Sequence, residues 1–403
     1  MKKTFNHIFK HIFNHIFLFF LMLNISHIDI TNIALAKTSS VETTSSDSSI
    51  PLQISIVPLE NTTSYFTQNK KIHILSEYVV TNLDRKPIQI NSITLSTTLK
   101  NKTLSKEGFN SDKIKSLFSL LGGDYLKDQN PALNVGESGI IFLESIVSYE
   151  KQIPDKLHSI FSITQNETNK TITIRPESIS ISKSKPITIS SPVKGKNWVS
   201  VNGPSNKSLH RRIISTNNGK ITIPEKYAVD WVKIDDKRDN LYKNNGQTND
   251  DFFSYGQEVM AVADGKVVVV KNGIPDNDIS NEKVSTEINQ NNVSGNYISI
   301  KIGKDLYANY SHLREGTLRV KMNDKVHKGQ VIGLLGNSGN STAPHLHFQL
   351  SSSSDIFNSK AIAYQINKFI KHEYALDVTK KVKVISSNKI TKESVVENEI
   401  IDF

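Results

Sequence analysis

The chain contains two short histidine-bearing segments whose spacing suits metal and proton chemistry. One is the run 343–350, with sequence APHLHFQL, and the other is 310–313, with sequence YSHL. Because side chains alternate between the two faces of a strand, His345 and His347 are predicted to stand side by side on one surface, while the apolar residues between and after them turn to the core. Two imidazoles on one face, with a third nearby, can hold zinc and transfer protons.

A sheet is needed to position these histidines, and the pattern of apolar residues in the second half of the chain predicts one. Runs of apolar and β-branched residues indicate strands at 259–263, 265–270, 297–302, 306–310, 330–335 and 345–350. Two polar insertions, at 235–255 and 272–296, lack apolar periodicity and are predicted to be surface loops that wall a cleft. Beyond residue 361 we expect one short helix around 364–371 and, at 395–403, a strand that returns to a sheet.

The first half is also predicted to be built of strands. Alternating apolar and polar residues indicate strands at 52–56, 72–81, 88–99, 140–147, 157–164 and 171–175. Several short strands separated by turn signals favour a β-sandwich of immunoglobulin type. The predicted fold class is therefore all-β. Boundaries are expected as a signal peptide at 1–36, a flexible lead-in at 37–50, the sandwich at 51–181, a linker at 182–206, the second domain at 207–375 and a C-terminal tail at 376–403.

The pattern of residues at the N-terminus predicts the cellular compartment of the protein. Lys2 and Lys3 precede an apolar block at 16–23, and residues 34–36 form an Ala-Leu-Ala pattern typical of a signal-peptide cleavage site. The block is too short to cross a bilayer as a helix, so no stable membrane span is expected. We expect the protein to be secreted or periplasmic after removal of this leader.

The net charge and the cysteine content limit the class of partner and the residue types that could bind a metal. The chain has 49 Lys and Arg against 39 Asp and Glu, a formal net charge of +10. Removing residues 1–36 takes away three lysines and one aspartate and leaves +8, which suits an anionic polymer as partner. Because the chain has no cysteine, it forms no disulfides, and any metal must be held by His, Asp or Glu.

With these segments in view, residues 198–350 resemble the lysostaphin-type (LytM-like) zinc metallopeptidases, which act on peptidoglycan cross-bridges. The matching segments, in the family's order, are 227–230 (YAVD), 262–268 (VADGKVV), 295–297 (GNY), 310–313 (YSHL), 326–333 (VHKGQVIG) and 336–348 (GNSGNSTAPHLHF). The resemblance implies a β domain of the duplicated hybrid motif type and a Zn²⁺ cofactor. The chain is similar in particular to a divergent branch of the family that has an immunoglobulin-like N-terminal domain.

The resemblance also implies roles for individual residues. His347, the second histidine of the H-x-H pair, corresponds to a zinc ligand, and so does Asp230. His345 and His312 correspond to the histidines that act in catalysis beside zinc-activated water. The chemistry is sensible, because a neutral imidazole accepts a proton and an imidazolium delivers one to a leaving amine. The sequence does not assign these two roles between His312 and His345.

One position departs from the family pattern. The family's H-x-x-x-D motif places its first ligand four residues before the aspartate, and this chain has Lys226 there. A protonated lysine cannot bind zinc, and catalytic zinc sites usually have three protein ligands. His210, in the segment HRR, is the hypothetical replacement ligand, the alternative being a hydrogen-bonded strand histidine. Glu225 is a weaker candidate, because on a strand it would face away from Asp230.

Four residues are candidates for substrate binding: Tyr310, Asn340, Arg211 and Arg212. The two arginines could clamp a substrate carboxylate, and a salt bridge to a neighbouring acid is the equal alternative. The predicted function is zinc-dependent endopeptidase action on peptidoglycan, with no nucleic-acid partner. The alternative is a catalytically impaired relative that regulates cell-wall amidases or binds the wall. A carbohydrate-binding or adhesion protein built on the sandwich would leave the histidines unexplained.

Overall fold

The protein is described here by a computed structural model, which covers residues 41–42, 52–123, 129–148, 152–280, 284–376 and 382–403. The predicted signal peptide at 1–36 lies outside these residues, as does the predicted lead-in at 37–50 apart from a two-residue strand. The described part of the chain is almost entirely β-structure, so the all-β prediction is confirmed. None of its helices has the length and apolar character needed to cross a membrane.

The N-terminal half is a sandwich of two antiparallel-rich sheets. Its strands are β1 Val41–Glu42, β2 Ile54–Pro58, β3 Thr62–Thr63, β4 Tyr65–Gln68, β5 Lys71–Asn82, β6 Ile88–Leu99, β7 Lys102–Asn110, β8 Phe118–Leu120, β9 Ala132–Leu133, β10 Ser138–Ser148, β11 Lys156–Gln165, β12 Thr171–Ile174 and β13 Ile179–Ile181. One sheet has the order β2-β5-β10-β8 with β4 on β5, and the other has β1-β12-β11-β13-β3 with β6 on β11 and with β7 and β9 on β6. A short helix, α1 (Ser111–Lys115), connects β7 to β8.

Every strand predicted in this half is present, because the alternation of apolar residues matches the pleat. In β11, for example, Leu157, Ser159, Phe161 and Ile163 are buried, and the residues that alternate with them are more exposed. The apolar side chains of this set join those of β5, β6 and β10 in one apolar core between the sheets. The immunoglobulin type of the sandwich stays a prediction.

The second half is organised around one large sheet. Its strands are β14 Ile187–Ile189, β15 Trp198–Val201, β16 Ser215–Asn217, β17 Lys220–Thr222, β18 Val229–Lys233, β19 Glu258–Met260, β20 Gly265–Lys271, β21 Asn296–Gly303, β22 Leu306–Leu313, β23 Lys325–Val326, β24 Val331–Leu334, β25 Leu346–Ser351, β26 Ala361–Ile362, β27 Tyr364–Leu376, β28 Val382–Glu393 and β29 Ile400–Asp402. The sheet runs β14-β27-β29-β15-β18-β25-β22-β21-β20-β23, with β26 on β25 and β28 on β27. Two separate two-stranded sheets, the hairpin β16-β17 and the pair β19-β24, accompany it.

Three sequence expectations differ from this architecture. The predicted linker contains β14 and β15, which pair within the second sheet. The helix predicted around 364–371 is wrong, since these residues begin β27. The predicted tail contains β28 and β29, and β29 pairs with both β15 and β27, as expected of a returning strand. In each case neighbouring strands supply backbone partners that the local pattern cannot reveal.

The two halves meet over a buried contact of apolar and charged side chains. Phe66 packs edge-on against Tyr227, with ring centroids 6.3 Å apart, and Phe142 lies in a cluster with Ile223. At its centre, the carboxylate of Glu77 on β5 accepts hydrogen bonds from side chains of the second half. The sandwich is therefore fixed against the domain that carries the histidines.

The apolar face of β25 is expected to hold the second sheet together, and Leu350→Ala tests this. Leu350 is fully buried, so its truncation should lower the free energy of unfolding by about 2–5 kcal/mol. Both tryptophans, Trp198 and Trp231, are buried in this half, so tryptophan fluorescence during urea unfolding reports on it specifically. The control Ile385→Ala, at a side chain that is 67% exposed, should stay within about 0.5 kcal/mol. Equal losses in both variants would contradict this account.

Candidate metal centre

Strand pairing brings the first two candidate ligands together. In the antiparallel ladder of β18 and β25, Asp230 lies directly opposite His347. Directly opposed residues point to the same face with neighbouring Cβ atoms, which accounts for the 3.0 Å distance between Asp230 Oδ1 and His347 Nδ1. The alternation that buries Leu346 and Phe348 in the core turns His347 to this other face.

His210 comes from outside the sheet and completes the group. It begins a one-turn 3₁₀-helix, His210–Arg212, rather than a strand, and its side chain is buried. Its Nε2 lies 3.2 Å from Asp230 Oδ2, and its ring meets that of His347 at an 87° angle, with centroids 4.7 Å apart. One ligand atom from each of His210, Asp230 and His347 lies within 4.8 Å of the others.

The geometry and donor types of this group fit zinc. Tetrahedral zinc with bonds of about 2.0–2.1 Å places neighbouring ligand atoms about 3.4 Å apart, close to the two distances measured from the Asp230 oxygens. Each histidine also has its other nitrogen held: His210 Nδ1 donates to the carbonyl of Asn202 at 2.8 Å, and His347 Nε2 lies 3.0 Å from Gln349 Oε1. Such partners fix the ring orientation and the tautomer of a metal-binding histidine.

The carboxylate dominates the electrostatics of the group. Burial alone would raise the pKa of Asp230, but the charges of His210 and His345 and the hydrogen bonds from His210 and His347 hold that pKa well below its usual range. Burial opposes the charged form of His210, yet the nearby Asp230 carboxylate raises the pKa of His210 to about 9. Asp230 also accepts a hydrogen bond from Asn202 Nδ2 at 2.9 Å, so its orientation is fixed. The site is thus a pre-organised negative centre between two imidazoles.

His345 and His312 lie beside this group with one nitrogen each directed by the backbone. His345 Nδ1 donates to the Ala343 carbonyl and His312 Nδ1 to the Ser338 carbonyl, both at 2.8 Å. Their ring centroids are 4.7 Å apart, and His345 Nε2 is 3.6 Å from Asp230 Oδ1. Burial lowers the pKa of His345 and, with the charges of His345 and His347, holds the pKa of His312 well below its usual range. In this tautomer Nε2 is left as the proton acceptor of each ring.

A local irregularity in β22 aims His312 at the site. The pairing of β22 with β21 shifts by one residue between Tyr310 and Leu313, and His312, at φ 60°, takes the left-handed conformation. A bulge of this kind redirects a side chain next to a functional site. The carbonyl that holds His312 lies where Gly295 and Gly339 approach each other, and a Cβ on either glycine would collide with the other segment.

The two polar insertions border the site as loops. Leu241 and Phe252, from 235–255, line a pocket that also includes Asp230 and His345. From 272–296, Asn277 Nδ2 donates to the carbonyls of Gly339 (2.8 Å) and Ser341 (2.7 Å), and so supports the loop before His345. The first insertion therefore has the predicted role of a cleft wall, and that role stays a prediction for the second.

Lys226 faces away from the metal group. Its Nζ donates to Glu77 Oε2 at 2.8 Å and to Glu60 Oε2 at 3.2 Å, both on the N-terminal sandwich. Burial disfavours its charge, but the two carboxylates raise its pKa above the usual range. Glu225, by contrast, lies in a turn rather than on a strand, and its Oε2 is 4.0 Å from His210 Nε2. The strand argument for excluding Glu225 from the site therefore does not apply.

The structure places three of the candidate substrate-binding residues away from the cleft. Tyr310 is fully buried, and its hydroxyl accepts a hydrogen bond from the Val262 backbone at 2.9 Å. Arg211 makes the alternative interaction, a 2.7 Å salt bridge to Glu77, and Arg212 stacks 3.9 Å from the ring of Phe142. Asn340 is half-buried on the loop before His345, and its contact with substrate stays a prediction.

Sequence reasoning missed several residues that support the site. Asn202, in a loop, hydrogen-bonds to Asp230 and His210, and Gln349, on β25, lies beside His347. Glu77, in the N-terminal half, binds Arg211, the residue after His210. Gln349 had a sequence signal, since it follows His347 by two residues and so shares its strand face. Asn202 and Glu77 had none.

A buried carboxylate between two imidazoles, with two more histidines beside it, is a group that could hold a metal ion and transfer protons. Comparison with known proteins agrees: residues 244–360 match the family model described as Peptidase family M23. This segment includes His312, His345 and His347, while His210 and Asp230 precede it. The predicted resemblance to lysostaphin-type metallopeptidases is thus confirmed.

Curated relatives match over short stretches. The chain is 46% identical over 57 residues to the peptidoglycan DD-endopeptidase ShyA of Vibrio cholerae, covering 14% of this chain and 13% of that protein. It is 35% identical over 107 residues to the glycyl-glycine endopeptidase ALE-1 of Staphylococcus capitis, covering 26% and 24%. The chain therefore matches less than a quarter of the length of these relatives.

Solved structures give partial likenesses. The catalytic domain of lysostaphin from Staphylococcus simulans is 24% identical, with 41% of this chain and 88% of that chain covered and a TM-score of 0.23. The M23 metalloprotease pseudoalterin is 15% identical, with 54% and 100% covered and a TM-score of 0.25. At these TM-scores the likenesses carry no further argument.

The hydrogen bond between His347 and Gln349 should strengthen metal binding. Replacing Gln349 by leucine removes the acceptor that fixes the His347 ring, so affinity for zinc should fall about 10- to 100-fold. Competition with a chromogenic chelator measures this. The control is Gln365→Leu, at another buried glutamine, whose amide donates to Thr188 Oγ1 in a different part of the sheet. A loss of the same size in the control would show a general effect of the substitution.

The direction of Lys226 leads to a second prediction. Placing a histidine at 226 restores the family's motif in sequence but not in space, because this side chain points to Glu77 and Glu60. In His210→Ala/Lys226→His, zinc content should stay as low as in His210→Ala alone. The measurement is zinc content by elemental analysis after gel filtration. Recovery to one zinc per chain in the double variant would contradict the observed orientation of residue 226.

Proposed function

We propose that the chain is a zinc-dependent endopeptidase that hydrolyses peptide cross-bridges of peptidoglycan. The observation that carries the proposal is the group of His210, Asp230 and His347, with His312 and His345 beside it. The match to Peptidase family M23 and the names of the curated relatives support the substrate class. When bound, zinc polarises a peptide carbonyl and makes water more acidic.

The protein's own side chains would perform the remaining steps. Asp230, held by Asn202, and the two ligand histidines orient the centre. His345 Nε2 lies 3.6 Å from Asp230 Oδ1, and His312 lies beside His345. Because Nδ1 of each ring donates to a backbone carbonyl, Nε2 is unprotonated, and either ring would accept a proton from water and pass one to the leaving amine nitrogen. The loops at 235–255 and 272–296 would confine the peptide on this face of the sheet.

We propose that this activity takes place outside the cytoplasm, in a secreted or periplasmic protein. The leader-like pattern at 1–36 and the positive charge expected of the remaining chain support this placement.

The rival function is the regulation of cell-wall amidases by an inactive relative. The sequence observation in its favour is Lys226, which stands where the family has a metal-binding histidine. Lys226 has a structural reason of its own, since it neutralises two carboxylates at the contact between the halves. Its presence is therefore no argument for the rival.

Metal content and digestion of purified peptidoglycan test the proposal together. The wild type should bind one zinc per chain and release soluble peptides, identified by mass spectrometry. His210→Ala should lose the zinc, and His345→Ala should keep it while the rate falls about 10²- to 10⁴-fold, the range for a general acid–base group. His327→Ala is the control, since His327 is exposed.

Two results would contradict the proposal. Absence of zinc from the wild type, even after metal is supplied, would exclude the metal centre. Zinc binding without any digestion, combined with stimulation of an added amidase, would favour the regulatory rival.

A further inference from the structure

The segment that supplies His210 is fastened to the N-terminal sandwich by a buried carboxylate. Glu77, on β5, is 3% exposed. Its Oε1 accepts hydrogen bonds from Arg211 Nη2 at 2.7 Å and Nε at 3.1 Å, and its Oε2 accepts one from Lys226 Nζ at 2.8 Å. Burial alone would raise the pKa of Glu77, but the charges of Lys226 and Arg211 lower it, so the carboxylate is ionised at neutral pH.

Arg211 joins the two halves with its whole guanidinium group. Besides Glu77, its Nη2 donates to the carbonyl of Leu143 in the sandwich at 3.2 Å. Its Nη1 donates to Asn206 Oδ1 at 2.8 Å and to the Ser205 carbonyl at 3.3 Å, within its own loop. Because Arg211 directly follows His210, the position of His210 is tied to these contacts.

Arg212 makes a second attachment of the same segment. Its guanidinium lies over the ring of Phe142 and donates to the Ser116 carbonyl at 3.1 Å, both in the sandwich. Two consecutive arginines thus anchor a three-residue helix to the other half of the protein.

Within the second half, the segment is held by single side-chain hydrogen bonds rather than by a strand ladder: His210 Nδ1 donates to the Asn202 carbonyl at 2.8 Å, and Ser208 Oγ donates to the same oxygen at 2.7 Å. Asp230 and His347 sit in β18 and β25, whose ladder hydrogen bonds fix them. His210 belongs to a single 3₁₀ turn, which has few and poorly aligned backbone hydrogen bonds of its own. Its location therefore depends on side-chain contacts, and the strongest of these are charged and buried.

We propose that Glu77 is a positioning residue of the metal centre, so that the N-terminal sandwich completes the site by holding, through Arg211, the segment that supplies its third ligand. This inference rests on the proposed function, because it assumes that His210 is a zinc ligand. It gives the sandwich a role in metal binding, at a carboxylate that does not touch the metal group.

Zinc affinity of the full chain, measured by competition with a chelator, tests the inference. Glu77→Gln keeps the size of the side chain but removes the charge, and should lower zinc affinity about 10- to 100-fold, as for other supporting partners of metal ligands. The matched control is Glu144→Gln, because Glu144 is also on the sandwich and pairs with His73 of the sandwich at 2.7 Å. Its zinc affinity should equal that of the wild type.

A double-mutant cycle separates positioning from a general loss of stability. If Glu77 acts through His210, then Glu77→Gln should cause no further loss of zinc affinity in the His210→Ala background. If Glu77 only stabilises the fold, the substitution should have the same effect on zinc affinity in both backgrounds, and the inference is overturned.

A second variant covers failure of Glu77→Gln to fold, which tryptophan fluorescence would reveal. Arg211→Lys keeps the positive charge but loses the planar fork that reaches Glu77 and Leu143 together, and should lower zinc affinity in the same way. Wild-type affinity in either folded variant overturns the inference. Absence of zinc from the wild type itself would instead refute the proposed function.

Discussion

The buried carboxylate of Glu77 is the constraint on which the arrangement of this protein depends. It lies between Arg211 and Lys226 and is excluded from solvent. Removing a charge from such a cluster leaves another charge buried without compensation, which is strongly unfavourable. The two halves of the chain are thus held in one relative position, and the 3₁₀ turn of His210 is held with them.

The same constraint gives Lys226 a structural role at the position where the family that the chain resembles has a metal ligand. The proposed site uses His210 in place of the histidine expected four residues before Asp230, so Lys226 is not one of its metal ligands. The lysine side chain instead reaches the sandwich, where it neutralises Glu77 and Glu60. In the proposed site, a ligand from a short 3₁₀ turn replaces the one expected at 226, and Arg211 and Arg212 attach that turn to the sandwich.

Local pattern was sufficient for most of the fold. At β25, strict alternation predicted both that Leu346 and Phe348 face the core and that His345 and His347 share the opposite face, because the period of a strand is two. The pattern misled at 364–371, where Ile366 and Phe369 stand at helical spacing. Pairing of β27 with β14, β28 and β29 overrides that preference, since three strands offer it backbone partners.

The residue types of the site, the strand that begins at the H-x-H pair of His345 and His347, and the resemblance to a peptidase family could all be predicted from the sequence. These depend on local spacing and on motifs. Only the tertiary structure decided that His210 lies beside Asp230, that Lys226 turns away and that Tyr310 is core. The first two outcomes depend on contacts between residues more than one hundred positions apart, such as Glu77 with Arg211, and the third on contacts such as that of Tyr310 with Val262, 48 positions away. Local periodicity contains no information about such contacts.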